Sequence, residues 1–235
     1  MQGETIMERN NIYKANTMGD DAYELMKKDI LTLEIKPGTM ITEQVICDKY
    51  NISRTPSRHV MQRLRDEGLI YSIPYKASYV TLLDFDSIKQ LIYMRIAIES
   101  RVIKDAMRSK SDDLLYRLDK SLKKQQKLLQ GDFTPDEFYV LDSEFHESWF
   151  TETDKHIVWE EIQKMLVQYT RFRMLDIVVV KNFHAIYEEH KMLVELIRED
   201  RFDEVDEMIT KHLNGGIERL GDKIFGEYAD YFIRA

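Results

Sequence analysis

Two kinds of hydrophobic pattern follow one another along the chain. Up to about residue 83, short helical stripes give way to two runs rich in strand formers; beyond it only helical stripes recur. The first stripe, with spacings of three and four, consists of Tyr23, Met26, Ile30 and Leu33. It predicts a helix that begins near Asp20 and ends before the turn dipeptide Pro37-Gly38. A second, shorter helix is predicted over 42–50, with Thr42 as its cap.

The third helix combines an apolar face with a basic one. Ser53 is a favourable N-cap residue, Pro56 lies in the first turn and Gly68 provides the stop. The apolar face consists of Val60, Met61 and Leu64, and the positive charges elsewhere belong to Arg54, Arg58, Arg63 and Arg65. Taken alone, this pattern is also that of an ordinary amphipathic helix with a solvated basic side. The strand-forming runs 69–73 and 79–83, separated by a turn, predict a hairpin after it.

Three helices followed by a hairpin is the order of elements in a winged helix-turn-helix. The remaining stripes predict about seven helices and no strand, at 88–108, 112–129, 135–150, 156–174, 182–198, 202–213 and 217–228. Thr134 and Glu137 form a capping box with Pro135 at the first helical position, and Asn214-Gly215-Gly216 separates the last two helices. The fold class is therefore mainly α, with an antiparallel helical bundle after the winged domain.

The predicted domains are a flexible polar tail over 1–18, a winged helix-turn-helix over 19–83 and a helical domain over 84–235. With 43% hydrophobic and 32% charged residues, the 235-residue chain is expected to be soluble and folded. No run approaches the roughly 18 apolar residues of a membrane span, and the polar start lacks the apolar core of a signal peptide. We therefore expect a cytoplasmic protein with no membrane partner. The single cysteine, Cys47, excludes an internal disulfide.

The net charge of −8 is unevenly distributed. Residues 1–80 hold 11 basic and 11 acidic side chains, so the whole excess of negative charge lies beyond them. Between Lys49 and Lys76 there are six basic and two acidic residues. A locally basic domain attached to an acidic one is compatible with a DNA partner despite the overall charge.

Four residues of the helical part are candidates for binding a metal. Asp142 and His146 are four apart on one predicted helix, and His190 and His212 lie on two later ones. If they converge, three imidazoles and a carboxylate suit zinc, with nickel, manganese or iron as alternatives. Each histidine could equally be satisfied separately or exposed, and that interpretation is given to His59, His156 and His184. Arg95 and Glu99, one turn apart, would by spacing alone form a surface ion pair.

The run PGTMITEQVICDKYNISRTPSRHVMQRLRDEGLI, followed by IPYKASYV, resembles the N-terminal domain of GntR-type bacterial transcription regulators. The resemblance implies DNA contacts by Gln44, Ser53, Arg54, Thr55, Arg58 and Lys76. The two arginines would contact guanine edges and phosphates, and the two hydroxyls would bind phosphate at the helix N-terminus. The sequence departs from the family at Ser57, His59 and Ala77, where Val, Glu and a wing glycine are usual.

The segments DSEFHESWF and EEHKMLVELIREDRFDEVDEMITKHL resemble the FCD domain, the ligand-binding domain of the FadR branch of that family. The resemblance implies that Asp142, His146, His190 and His212 together bind one divalent metal. It also implies that Arg95 faces the cavity and holds the carboxylate of a small organic acid effector. Members that bind fatty acyl-CoA lack this full set of ligands, so that class of effector is not expected.

These observations predict a homodimeric, metal-containing transcription regulator whose affinity for a palindromic double-stranded operator is altered by a small organic acid. In one alternative the metal itself is the signal. In another the protein is a metal-dependent enzyme whose DNA-binding domain is an adaptor. The enzyme needs a general base or nucleophile, and HExxH, a Ser/His/Asp set and a Gly-rich phosphate loop are absent from the sequence. We therefore expect no enzymatic activity.

Overall fold

The computed structural model describes residues 6–109, 111–165 and 167–234, with side chains from residue 18 onward. The chain forms two compact units. The head unit consists of Met1–Leu83 together with Asp230–Ala235, and the helical unit is Asp84–Ala229. Their architectures agree with the predicted fold class, a small winged helix-turn-helix and an α-helical bundle.

The head unit contains three helices and a small sheet. The helices are α1 (Ile6–Leu31), α2 (Glu43–Tyr50) and α3 (Arg54–Asp66), and the strands are β1 (Met40–Ile41), β2 (Ile70–Ser72) and β3 (Ser78–Val80). Strands β2 and β3 form the predicted hairpin, and β1 adds a third antiparallel strand beside β3. The apolar stripes of α1 and α3 meet in the core, where Tyr23, Met26 and Leu64 are almost fully buried.

Helix α1 is longer than predicted. It begins at Ile6, so residues 6–18, which carry no predicted helix, are helical, whereas 1–5 lie outside the described residues. The periodicity missed this stretch because it has no apolar stripe. A helix that is already nucleated by packing can extend without one, because each added residue contributes a hydrogen bond.

Local contacts fix the turn between α2 and α3. The hydroxyl of Thr42 accepts a hydrogen bond from the backbone N–H of Val45, as expected of a cap. Ser53 occupies the N-cap position of α3, but its side chain makes no capping hydrogen bond among the described residues. The fully buried hydroxyl of Ser57 donates to the backbone carbonyl of Glu43 at 3.0 Å. A valine at this position could not make the hydrogen bond. Ser57, which departs from the family pattern, therefore links α3 to the start of α2.

The described part of the helical unit contains seven α-helices. They are α4 (Phe85–Ser109), α5 (Asp112–Leu129), α6 (Pro135–Glu152), α7 (His156–Met165), α8 (Val167–Val180), α9 (Phe183–Arg198) and α10 (Val205–Leu220). Helix α5 packs against α6 and α9, and α10 packs against α4 and α8. Glu137 accepts hydrogen bonds from the backbone N–H and the hydroxyl of Thr134 at the start of α6.

The helix predicted over 156–174 corresponds to α7 and α8, which lie on either side of residue 166, and the helical segment ends later than predicted, at Val180. Helix α8 has nine consecutive buried residues, from Tyr169 to Ile177, because other helices surround it. A helix that is buried on all sides has no polar face, so the sequence carries no stripe that would mark where it ends.

The predicted break at Asn214-Gly215-Gly216 is also wrong, because α10 continues through it to Leu220. A Cβ at Gly216 would lie 3.3 Å from Cε1 of Phe172 on α8. The glycine therefore allows two helices to approach closely instead of stopping one. The helix predicted over 217–228 consists of the last turn of α10 followed by the 3₁₀ segment Gly221–Ile224.

The C-terminal segment of the head unit pairs with Leu83. The backbone N–H of Leu83 donates to the carbonyl of Tyr231 at 2.8 Å, and that of Ile233 donates to the carbonyl of Leu83 at 2.9 Å. Phe232 is buried there. The prediction that assigned these residues to the helical domain is corrected, since backbone pairing between distant segments leaves no periodic signal. None of the helices in the described ranges is long and apolar enough to cross a bilayer.

Candidate metal centre and DNA-binding helix

The four predicted metal ligands lie together inside the helical unit. Asp142 and His146 are one turn apart on α6, and α9 and α10 contribute His190 and His212. All four side chains are buried, and one ligand atom from each lies within 4.8 Å of the others. Nε2 of His146 is 3.1 Å from Nε2 of His212, and Nε2 of His190 is 3.3 Å from Oδ1 of Asp142.

The outer nitrogen of each imidazole meets an oxygen atom. The contacts are His146 Nδ1 with Glu99 Oε2 at 2.6 Å, His190 Nδ1 with Gln125 Oε1 at 2.8 Å, and His212 Nδ1 with Glu189 Oε2 at 2.8 Å. Carboxylate and amide oxygens only accept hydrogen bonds, so these partners place the proton on Nδ1. At His146 the 2.6 Å contact with Glu99 is much shorter than the 3.3 Å distance from the same nitrogen to Nη2 of Arg95. The lone pairs of the three Nε2 atoms then face the centre of the cluster. Metal-binding histidines are typically oriented in this way.

Two features of the interior of the cluster would be stabilised by a bound cation. Two nitrogen lone pairs that face each other at 3.1 Å repel unless a positive centre lies between them. Nε2 of His190 is buried and has no hydrogen-bond partner in the part of the chain that the structure describes. Three imidazole nitrogens and one carboxylate oxygen are a suitable donor set for a divalent transition metal. The residues present therefore fit such an ion.

The pKa values of Asp142, His190 and His212 are shifted toward the charge states that metal binding needs. Burial opposes ionisation of Asp142, but the guanidinium of Arg173, which donates to its Oδ1, holds the pKa of Asp142 well below its usual range. Burial lowers the pKa of His190 to about 4 and the pKa of His212 well below its ordinary value. An ionised carboxylate and neutral imidazoles are the forms that coordinate metals.

Arg95 and Glu99 form a buried pair, not the surface pair that their spacing alone suggested. They are 3% and 0% exposed, and Nε of Arg95 donates to Oε1 of Glu99 at 2.6 Å. The guanidinium also lies 4.9 Å from the ring centroid of Tyr169. Arg95 thus holds the carboxylate that contacts His146, and a role in binding an effector stays a prediction.

Sequence reasoning missed most of the groups that surround the ligands. Arg173 and Gln125 lie on α8 and α5, and no local spacing connects them to the histidines. Glu189 immediately precedes His190 in the sequence, and this adjacency was the visible signal. In the structure, however, Glu189 contacts His212, on another helix.

The six predicted DNA-contacting residues are all exposed on the head unit, at Gln44, Ser53, Arg54, Thr55, Arg58 and Lys76. Nε of Arg58 donates to both carboxylate oxygens of Glu43, at 3.0 and 3.1 Å. The side-chain amide of Gln44 donates to Asp48 on the same helix. Arg58 is still 67% exposed, so it can contact a partner while Glu43 orients it.

The turn between β2 and β3 uses an unexpected residue for its left-handed position. Tyr75 has a φ of 60° and a fully exposed side chain, and Lys76 follows it. Ala77, which stands where the family usually has glycine, is half-buried and has no positive φ. The turn therefore forms without a wing glycine, and it exposes the ring of Tyr75 next to Lys76, the predicted DNA-contacting residue.

Two family models match the chain, one on each unit. Residues 19–80 match the model described as bacterial regulatory proteins of the gntR family, and residues 90–215 match the FCD domain. The chain belongs to the GntR family, with an FCD domain. Since an FCD domain follows the DNA-binding domain, this GntR protein fits the FadR subfamily.

Similar proteins agree with this membership. The chain is 26% identical over 210 residues to the HTH-type transcriptional repressor RspR of Escherichia coli K12. The alignment covers 89% of this chain and 91% of that protein. The chain is 23% identical over 217 residues to the gluconate operon transcriptional repressor of Bacillus subtilis strain 168, covering 90% and 86%. The solved structure of E. coli McbR/YncC has the same fold, with a TM-score of 0.68, 16% identity and coverage of 88% and 98%. The protein is therefore a transcription regulator.

Proposed function

We propose that this regulator binds a palindromic operator as a homodimer, and that a small organic acid bound at a metal in the helical unit alters its operator affinity. The metal would be held by Asp142, His146, His190 and His212. The observation that supports the proposal most directly is the convergence of three imidazole Nε2 atoms and a carboxylate oxygen, with Nε2 of His190 buried and without a hydrogen-bond partner among the described residues. A protein that needed these histidines only for packing would pair that nitrogen.

Zinc is the metal we assign first, because three imidazole nitrogens and a carboxylate oxygen suit it, with nickel, manganese and iron as alternatives. When bound, the ion would supply a positive centre for an oxygen of the acid. We assign Arg95 to the effector carboxylate, since its buried guanidinium lies 3.3 Å from Nδ1 of His146, at the edge of the metal ligands. The proposed role is regulatory, without turnover of the acid.

In the head unit, we assign recognition of the operator to Arg54 and Arg58 on α3. A guanidinium can bind the O6 and N7 atoms of guanine together. Ser53, Thr55 and Lys76 would contact phosphates, which position the protein without reading sequence. Gln44, at the start of α2, would add a further contact.

Operator binding in the presence and absence of metal tests the proposal. Native mass spectrometry should find one metal ion per chain, and His146→Ala should lose it. Fluorescence anisotropy with a labelled operator, across a panel of small carboxylic acids, should find an acid that changes the Kd by about 5- to 150-fold, the usual range of allosteric coupling. Arg95→Ala, which also frees the carboxylate of Glu99 beside His146, should lose this response even at metal concentrations that restore one ion per chain. Unchanged metal content in His146→Ala would refute the metal site.

The same titrations separate the alternatives. If metal alone changes operator affinity and no acid adds to it, the metal itself is the signal. If the metal-loaded protein converts the acid that shifts operator binding, the regulatory assignment is incomplete and the helical unit is an enzyme.

A further inference from the structure

Gly215 in α10 lies against Arg219, a side chain close to the residues that surround the predicted metal ligands. A Cβ built on Gly215 would lie 2.5 Å from Nη1 of Arg219 and 3.1 Å from its Cζ. The guanidinium thus lies directly against the backbone of its own helix, one turn earlier. Any side chain at position 215 would force it to move, because real Cβ contacts are essentially never that short.

From this position Arg219 contacts carboxylates on two other helices. Its Nη2 donates to Oδ2 of Asp176 on α8 at 2.8 Å, and its Nε lies 3.1 and 3.2 Å from the two oxygens of that carboxylate. Its Nη1 lies 3.6 Å from Oε1 of Glu189 on α9. The other oxygen of Glu189, Oε2, lies 2.8 Å from Nδ1 of His212. A continuous series of polar contacts therefore runs from Asp176 through Arg219 and Glu189 to a predicted metal ligand.

We propose that Arg219 is a positioning residue for the metal centre, acting through Glu189 on His212, and that Gly215 provides the space it needs. The inference rests on the proposed metal site. A metal binds tightly only if its ligands are already oriented, and groups outside the ligands that hold imidazole rings typically contribute 10- to 100-fold in affinity. Anchored between Asp176 and Glu189, the planar guanidinium fixes the carboxylate that in turn fixes the ring.

The geometry of arginine is essential to this role. A guanidinium presents several N–H groups in a rigid plane and can bind two carboxylates at once, whereas a lysine ammonium is a compact point charge on a flexible stem. Arg219→Lys should therefore keep the positive charge near Asp176, which is 2% exposed, while losing the fixed contact with Glu189. Metal affinity should fall in this variant even if the fold is preserved.

Metal titration of the full-length, metal-stripped protein provides the test. The Kd for Zn²⁺ is measured by competition with a chelating dye, after circular dichroism has shown that each variant is folded. We expect Arg219→Ala and Arg219→Lys to weaken Zn²⁺ binding by about 10-fold, the lower end of the range for groups that contact a ligand directly. Gly215→Ala, which displaces only the flexible end of the same side chain, should weaken it less. The visible absorption of the Co²⁺-loaded variants should also change, because it reports the geometry of the bound nitrogens. A merely structural role would lower the melting temperature and leave the Kd and the spectrum unchanged.

Two matched controls remove a similar group elsewhere. Arg198→Ala breaks an exposed ion pair with Asp119, and Gly131→Ala adds a methyl group whose nearest neighbour is a carbonyl oxygen at 3.9 Å. Both should bind Zn²⁺ as the wild type does. The double variant Gly215→Ala with Arg219→Ala should bind no more weakly than Arg219→Ala alone, because both changes act through the same guanidinium. Additive losses would overturn the assignment of Gly215.

The outcome also separates this inference from the function on which it rests. If the wild type binds Zn²⁺ and His146→Ala does not, but the Arg219 and Gly215 variants keep the wild-type Kd, only the positioning role is wrong. If the wild type itself binds no metal, the metal site and the positioning role both fail.

Discussion

The six histidines of the chain differ in burial and in what holds their rings. His59, His156 and His184 are exposed, as expected for residues without a ligand role. The three on α6, α9 and α10 are buried, with an oxygen atom at every Nδ1. A candidate metal ligand differs from an ordinary core histidine in its two ring nitrogens: Nδ1 is held by a hydrogen bond, and Nε2 points into the cluster.

The arginines on α3 should contribute unequally to DNA binding, depending on their position along the helix. Arg58→Ala should weaken operator binding by about 10- to 100-fold and reduce the preference for operator over random DNA, because a bidentate contact with guanine contributes about 1–3 kcal/mol. Arg65, near the other end of α3, donates to Gln62 on the same helix. Its replacement by alanine should change affinity much less. Anisotropy titrations with operator and scrambled duplexes measure both effects, and equal losses on the two duplexes would contradict base recognition by Arg58.

At the scale of elements, the close contact between α8 and α10 depends on a missing side chain. Gly216 faces Phe172 and Asp176, both buried, so a methyl group there has little room. Glycine normally weakens a helix, by about 1 kcal/mol relative to alanine. In α10 the loss of helix propensity accompanies a closer packing of two helices.

Gly216→Ala should therefore destabilise the protein despite the higher helix propensity of alanine. A Cβ would lie 3.3 Å from Phe172 and 3.4 Å from Oδ2 of Asp176, which Arg219 holds in place. Overpacking a buried contact costs about 1–3 kcal/mol, so we expect a net loss of about 1 kcal/mol in the free energy of unfolding. Urea denaturation measures it. Gly131→Ala, in an open position, serves as the control, and a stabilised Gly216→Ala would show that the two helices can separate at no cost.

At the scale of the whole molecule, metal binding should appear as stability of the helical unit. A ligand that binds only the folded state stabilises it by about 2.7 kcal/mol when its free concentration is 100 times its Kd. Removal of metal with a chelator should therefore lower the melting temperature in scanning calorimetry, and added Zn²⁺ should restore it. His190→Ala should not respond to either treatment. A melting temperature that is independent of metal in the wild type would contradict a metal site that forms only on folding.

The sequence by itself determined the features that depend on neighbouring residues. The order of elements in the head unit, the basic helix α3 and the helical character of the rest follow from apolar spacing and caps. The pair Asp142 and His146 could be placed on one helix face for the same reason. The wider set with His190 and His212 came from resemblance to the FCD domain, because no local rule relates residues that are 44 and 66 positions beyond His146.

Only the tertiary structure decided which groups surround those ligands. Glu99, Gln125 and Glu189 meet the histidines across helix contacts, and Arg219 reaches Glu189 because Gly215 leaves room for it. The same is true of the C-terminal backbone that pairs with the end of the head unit. Such contacts depend on how closely whole helices and strands approach one another. Hydrophobic periodicity cannot predict that distance, because it records only which face of each element is buried.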